Sequence, residues 1–298
     1  MSNNKAIRWI KKNYGGYLFA SPVILGILIF TLWPMVQSLI YSFYNYDGLQ
    51  QMIFIGFKNY KMIFGYDWHD MRLVLKSTFL FAVISVPLNL FLSYLLAMLL
   101  NNKIKGVKVY RLIIYLPVII PSIISSFLWR DIYNPTFGVM NRIFAFFGLP
   151  QSQFIYSGKT AMASLIFANM WGLGGGMVLW LAALKNVPET LYESAKIDGA
   201  GWFTRTFKIT VPMSTPMIFY NLVMGIIASL QVFNVFVMAG DQATSSLYFF
   251  AYKIYLSAFH NYMFGYASAL AWFLFLIIAV LTAVVFKTQK WVYYAEDM

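Results

Sequence analysis

Cysteine is absent from this sequence of 298 residues. That excludes a disulfide framework, thiolate metal sites and anchoring through a lipidated cysteine. Charge is scarce as well. Asp, Glu, Lys and Arg supply 11% of the chain, where a soluble domain carries about 25%. Hydrophobic residues supply 60%, which leaves too little polar surface to cover a globule in water. Lipid is the solvent that needs no such cover. Acidic residues number ten against 22 basic ones, a formal net charge of +12. Nucleic acid is not the partner this implies, because no soluble segment alternates Lys and Arg with aromatics. The basic residues instead flank apolar runs, where they set membrane orientation. The two histidines, His69 and His260, lie far apart and read as surface residues, not metal ligands.

Six apolar runs reach spanning length, about 20 residues. They cover 17–43, 77–100, 112–132, 161–184, 213–238 and 267–286, and none carries a charge at its middle. Strict period-2 alternation is missing, which argues against a membrane β-barrel. The first run is too long for a cleaved signal and has no small-x-small cleavage site, so it reads as an uncleaved anchor. The stretch 246–262 is rich in Tyr and Phe but holds Lys253 and His260. It reads as an interfacial amphipathic helix, not a seventh span. The expected fold is therefore all-α and polytopic, with residues 1–16 as a cytoplasmic segment and 17–298 as one transmembrane domain.

Orientation follows from the basic residues. With the N-terminus inside, the inner segments hold 14 of the 22, including Lys5, Lys103, Lys108, Arg111, Lys185 and Lys208. The outer segments hold the other eight: Lys58, Lys61, Arg72, Lys76, Arg130, Arg142, Lys159 and Lys253. The asymmetry places both termini in the cytoplasm.

The loop at about 185–212, between the fourth and fifth runs, carries the sharpest signal. Pro188 suits a first helical turn, and Asp198-Gly199 stops the short helix that follows, since Gly tolerates positive φ. A second short helix near 202–208 then leads to Pro212. Leu191, Ala195, Phe203 and Phe207 make this helix–Gly–helix knob apolar, as a docking element requires. The loop closely resembles the coupling or EAA loop of ABC importer permeases, with Glu193, Ala195, Asp198, Gly199, Ala200, Ile209 and Pro212 on the pattern and Ser194 in place of a usual Ala. The Asp-Gly-Ala core followed by Ile-Thr-x-Pro resembles the carbohydrate branch. Gly56-Phe57-x-Asn59-Tyr60, Val86-Pro87, Leu116-Pro117, Trp129, Tyr133-Asn134-Pro135 and Gly265-Tyr266-Ala267-Ser268-Ala269 extend the resemblance over about 15–290. The N-terminal third is similar to the first permease of maltose and glycerol-phosphate type systems.

The resemblance implies a sugar importer of the bacterial cytoplasmic membrane that works by alternating access. It implies a second, distinct permease, two ATPase subunits docked on Glu193, Ala195, Asp198, Gly199 and Ala200, and an extracytoplasmic sugar-binding protein. No cofactor is expected in this chain. It lacks a G-x-x-x-x-G-K-[ST] phosphate loop, so ATP and Mg belong to the partner ATPase. Its Gly172-Leu173-Gly174-Gly175-Gly176 cluster lies inside a span, either as a close-packing face or as an unwound stretch lining a cavity.

Uncharged polar residues at membrane depth are the remaining signal. Asn169 and Trp171 lie in the fourth run, and Ser229, Gln231, Phe233 and Asn234 in the fifth. On a continuous helix Gln231 and Asn234 share a face. Amides bond hydroxyls and ring planes stack on sugar C–H faces, and the resemblance puts the sugar site on these two spans. The alternative is that such amides glue helices together, at about 0.6–2 kcal/mol each; Asn89 in the second run fits that role. A competing function is a membrane-embedded transferase, whose only charged candidates are Glu193 and Asp198. Co-purification with an ATPase and a second permease, against activity of the isolated chain, separates the two.

Overall fold

A computed structural model describes residues 3–49, 51–102, 105–239 and 245–293. Lys103, counted above among inner basic residues, and the stretch 240–244 lie outside them. Among the described residues the only strands are a two-stranded antiparallel ribbon, Tyr44–Asn45 with Ile53–Phe54; the rest is helical or irregular.

Three helices are long and apolar enough to cross a membrane unbroken. They are α1 (Tyr14–Tyr41), α2 (Trp68–Asn101) and, at the end of the chain, a helix over Phe264–Lys287. Three further pairs of helices are bent, so up to six spans result if each pair counts as one. In chain order the first pair is α3 (Val107–Ile119) and α4 (Ser122–Ile132), at 97°. Next come α5 (Ala161–Gly172) and α6 (Gly174–Lys185), at 49°. The short α7 (Glu189–Ile197) follows. The third pair is α8 (Trp202–Met213) and α9 (Thr215–Leu230), at 63°.

Each bend has a local cause. Pro121 cannot donate a hydrogen bond and forces Ile120 into an extended conformation (ψ 126°), so 112–132 is not one straight helix. Between α5 and α6 the chain tightens into a 3-10 turn at Met170–Gly172. The expected short helix near 202–208 instead continues to Met213. A π turn at Thr206–Thr210 just before Pro212 accommodates its ring and missing donor. The run 213–238 is also interrupted: α9 stops at Leu230, Gln231 is its C-cap, and α10 (Val235–Ala239) starts afresh.

The stretch 246–262 differs from expectation too. It forms a 3-10 turn at Ser245–Leu247, α11 (Phe250–Tyr255) and a π turn at Leu256–His260, too short to span. It does not present one wet face, for Phe250 and Lys253 are buried. Lys253 can be buried because it is paired: its Nζ lies 2.7 Å from Asp67 Oδ2 and 3.8 Å from Asp70 Oδ2. It also sits 5.7 Å from the Tyr248 ring centroid. The Phe250 N–H donates to Thr78 Oγ1 on α2 at 3.1 Å. Burial, then Asp70 and Asp67, push the Tyr248 phenol up to about 12. A buried ion pair of this kind is costly to break by removing one partner, so the segment is held to the start of α2.

The last helix is α12 (Phe264–Lys287). Contacts group the chain into two compact units: Met1–Tyr66 with Ile254–Phe273, and Asp67–Lys253 with Leu274–Met298. In the first unit the Gly56-Phe57-x-Asn59-Tyr60 motif acts as a clasp. Asn59 Nδ2 donates to the carbonyls of Ser42 (2.9 Å) and Tyr44 (3.0 Å), and the Tyr60 hydroxyl donates to Ser42 Oγ (2.8 Å). Gly265 packs so close that a Cβ would run into the Tyr44 carbonyl.

The second unit carries the cavities. α2 is its axis, packed against α6 and α9. Trp180 is buried and donates from Nε1 to Ser93 Oγ at 2.9 Å, with Tyr94 edge-on to its ring at 5.0 Å. Lipid removes the usual hydrophobic drive for helix association, so close packing and such cross-helix hydrogen bonds hold the bundle. The glycine cluster does both things the sequence left open. A Cβ on Gly174 would run into the Ile114 carbonyl of α3, so α6 touches that backbone directly, whereas Gly172 faces open space.

Candidate translocation cavity and coupling loop

The interruptions in the fourth and fifth runs meet. Where α5 turns into the 3-10 segment and α9 ends, a cavity of about 420 Å³ opens, within the range of small-molecule sites. Asn169, Trp171, Gln231, Phe233 and Asn234 all line it. Gln231 and Asn234 do not reach it as neighbours on one helical face. They reach it because the helix breaks between them, with Gln231 at φ −105°, ψ 15°. The side chains of Asn169, Gln231 and Asn234 are exposed, and they have no hydrogen-bond partner among the described residues.

Ser229 takes a different place. It lines a second cavity of about 330 Å³, together with Asn89, Asn169, Asn221 and Gly176. Its hydroxyl is buried and donates to the Ile226 carbonyl at 2.9 Å. Asn169 belongs to both cavities, so the two form one polar track along α2, α5, α6 and α9. Among the described residues, no Asp, Glu, Lys, Arg or His lines either cavity. The side chain of Phe236, the other aromatic near this site, is not among those described.

Sequence reasoning missed the wall supplied by α4. The 97° bend at Pro121 turns Ser122, Ser125 and Trp129 toward the first cavity. Trp129 stands edge-on to Trp171 at 5.9 Å, and its Nε1 is buried without a hydrogen-bond partner among the described residues. The signal for it is Pro121 inside an apolar run: a proline there ends or turns a helix at the preceding residue, which re-aims everything after it.

The loop at 185–212, the candidate coupling element, has the geometry its sequence demands, with one adjustment. Pro188 is the N-cap (ψ 130°) and not the first helical residue of α7. At the other end Gly199 sits at φ 76°. The Gly199 N–H donates to the Lys196 carbonyl (3.1 Å) and the Ala200 N–H to the Ala195 carbonyl (2.8 Å), the paired closure of a Schellman cap. Glu193, Asp198 and Gly199 are exposed, Ala195 and Ala200 partly so. Ile197 (87% exposed), Phe203 (71%) and Phe207 (66%) present an apolar patch that water alone would not favour. Within the loop Tyr192 ties α7 to α8, its hydroxyl lying 2.9 Å from Thr210 Oγ1.

Bent apolar helices around an uncharged cavity, with an exposed apolar loop, fit a membrane transport subunit. The chain belongs to the family described as binding-protein-dependent transport system inner membrane component, whose pattern matches residues 89–293. It is 38% identical to the probable ABC transporter permease protein YesP of Bacillus subtilis, covering 99% of this chain and 96% of that one. It is 29% identical to the trehalose/maltose transport system permease protein MalF of Thermococcus litoralis, over 92% of this chain and 93% of that one. Its fold matches a chain of a bacterial alginate ABC transporter crystallised with an alginate pentasaccharide-bound periplasmic protein. That match has a TM-score of 0.84 at 22% identity, over 95% of this chain and 96% of that one. The chain is thus the transmembrane permease subunit of a binding-protein-dependent importer, a transport subunit and not an enzyme, with ATP hydrolysed by a separate subunit.

Proposed function

We propose that this permease imports a carbohydrate, and that Asn169, Trp171, Gln231, Phe233 and Asn234 hold it in the larger cavity, with Ser229 along the track beside it. The observation that carries the reading is the convergence of three unpartnered amides and aromatic planes in a cavity with no ionisable lining. Hydroxyls match the amides, and the C–H faces of a sugar ring match Trp171 and Phe233. Relatives named for trehalose, maltose and diacetylchitobiose support the class. The pathway is completed by a second, distinct permease. An extracytoplasmic binding protein delivers the sugar, and two ATPase subunits dock on Glu193, Ala195, Asp198, Gly199 and Ala200. Their closure on ATP and Mg would move α7 and α8, and α8 bends directly into α9, whose end forms the cavity.

Gln231→Ala and Asn234→Ala test the site. A substrate hydroxyl left without its partner costs about 1–3 kcal/mol, so each variant should transport roughly five- to a hundredfold less efficiently in an uptake assay with a panel of labelled neutral mono- and oligosaccharides. Assembly and basal ATPase activity should persist. Normal uptake by both variants would reduce the amides to helix glue and move the site elsewhere.

Both termini lie in the cytoplasm in this reading. The chain has no native cysteine, so single cysteines report cleanly. Impermeant thiol reagents on sealed cells should label Tyr66→Cys and His260→Cys but not Ser194→Cys. Labelling of the last would invert the orientation.

A further inference from the structure

A second cavity system lies away from the translocation track, on the other side of α6. Helices α3 and α6 touch at Gly174, where no Cβ holds them apart. Further along the pair, a groove of about 560 Å³ opens between them. Lys108 and Arg111 from the start of α3 and Lys185 from the end of α6 line one end of it, and Leu112, Val178 and Leu181 line its length. The sequence spacing makes this one surface: Lys108, Arg111 and Leu112 stand at i, i+3 and i+4, and Val178, Leu181 and Lys185 at i, i+3 and i+7. The three cations have no acidic partner among the described residues, and no carboxylate lines the groove. Arg111 Nη2 donates to the Leu100 carbonyl at 2.6 Å, while its Nε is buried with no partner among the described residues. The guanidinium therefore has donors to spare in a fixed position.

We infer that this groove is a binding site for one anionic phospholipid. The phosphate is held by Lys108, Arg111 and Lys185, and an acyl chain lies along Leu112, Val178 and Leu181. Arg presents a fork of donors suited to phosphate, and Lys adds point charge. Leu181 and Val178 lie about 6 and 10 Å along the helix axis from Lys185, the reach of the first several acyl carbons. A free phosphate would satisfy the cations and leave the apolar wall uncovered. An uncharged lipid would do the reverse. Basic pockets between spanning helices at the cytoplasmic side are where anionic headgroups are recognised, and the basic ends of α3 and α6 adjoin the segments assigned to that side. The inference does not depend on which solute crosses the membrane.

The test uses the assembled transporter, with its partner subunits, stripped of native lipid in detergent and titrated in native mass spectrometry. The probes are phosphatidylglycerol, phosphatidylcholine and inorganic phosphate. Phosphatidylglycerol should bind at one copy per permease chain, and phosphatidylcholine should not be retained. Lys108→Gln with Lys185→Gln should weaken phosphatidylglycerol binding roughly thirtyfold, as expected for loss of two cations near a headgroup. Arg111 is left intact because it also caps α2, and an unchanged melting temperature shows that the variant is folded. Equal retention of the two lipids, unchanged binding in the double variant, full displacement by inorganic phosphate, or no lipid at all on the assembled transporter would each overturn the site. The last result would mean that another subunit covers the groove.

Discussion

Gly199→Val should leave the membrane bundle intact and detach the ATPase, or leave it attached with hydrolysis no longer stimulated by substrate-loaded binding protein. Gly199 holds φ 76°, a region that a β-branched residue enters only under strain. Open space surrounds the position, and a Cβ there would meet no atom within 4 Å. The penalty is therefore conformational alone, about 1–3 kcal/mol, and it falls on the cap that sets the angle between α7 and α8. The cheapest relief is to give up the two hydrogen bonds of that cap, which moves Glu193 and the exposed Phe203 relative to each other. Gly199→Asn should be milder, since Asn tolerates the left-handed region. Glu193→Ala should be milder too, because one exposed charged contact is worth about 0–1 kcal/mol. Co-purification of the ATPase, followed by stimulated ATPase activity in proteoliposomes, reads the effect. Intact assembly with normal stimulation in Gly199→Val would show that this loop does not couple the subunits.

Gly174→Val should have the larger effect on the protein itself. A Cβ at Gly174 would run into the Ile114 carbonyl and lie 2.9 Å from Tyr115 Cα, and these are backbone atoms that no rotamer change can move. α3 and α6 would have to separate, and with them the wall behind Trp180 and Met177, both buried. Overpacking of this kind costs about 1–3 kcal/mol even when side chains can adjust, and here they cannot. The expected result is poor membrane accumulation and a melting temperature in detergent lowered by many degrees. Gly172→Ala is the control two residues away. It faces open space at the cavity lined by Asn169 and Gln231 and should fold normally while altering uptake. Wild-type stability in Gly174→Val would mean that α3 and α6 do not approach in this way.

These two glycines mark how differently parts of the chain can be read. Gly199 is legible because Asp-Gly after a short amphipathic stretch has few conformations open to it. Gly174 is ambiguous, since a run of glycines inside a span serves a close contact and an unwound turn equally well, and neighbouring residues prove to do both. Gln231 and Asn234 do line the cavity, but not for the reason their spacing suggests. Three residues apart presumes a continuous helix, and α9 ends at Leu230. Trp129 fits the family pattern, but its place in the cavity wall is not legible because hydropathy treats 112–132 as one span and is blind to direction.

Composition and hydropathy by themselves determined that this chain is a helical membrane protein. An 11% charged chain belongs in lipid, where only helices and closed barrels satisfy the backbone, and the missing period-2 alternation leaves helices. The loop motif, at fixed short spacing on local structure, likewise determined the helix–Gly–helix turn at Gly199, because caps and turns depend on residues within reach of one another along the chain. Where three apolar runs break, which side chains converge at the breaks, and that Lys253 is buried against Asp67, 186 positions away, were decided only by tertiary structure. Hydropathy sums transfer energies along the chain and carries no information on which helix each side chain faces. The cavity exists because the bends at Pro121 and Met170–Gly172 and the helix end at Gln231 coincide in space, and that coincidence is a property of packing.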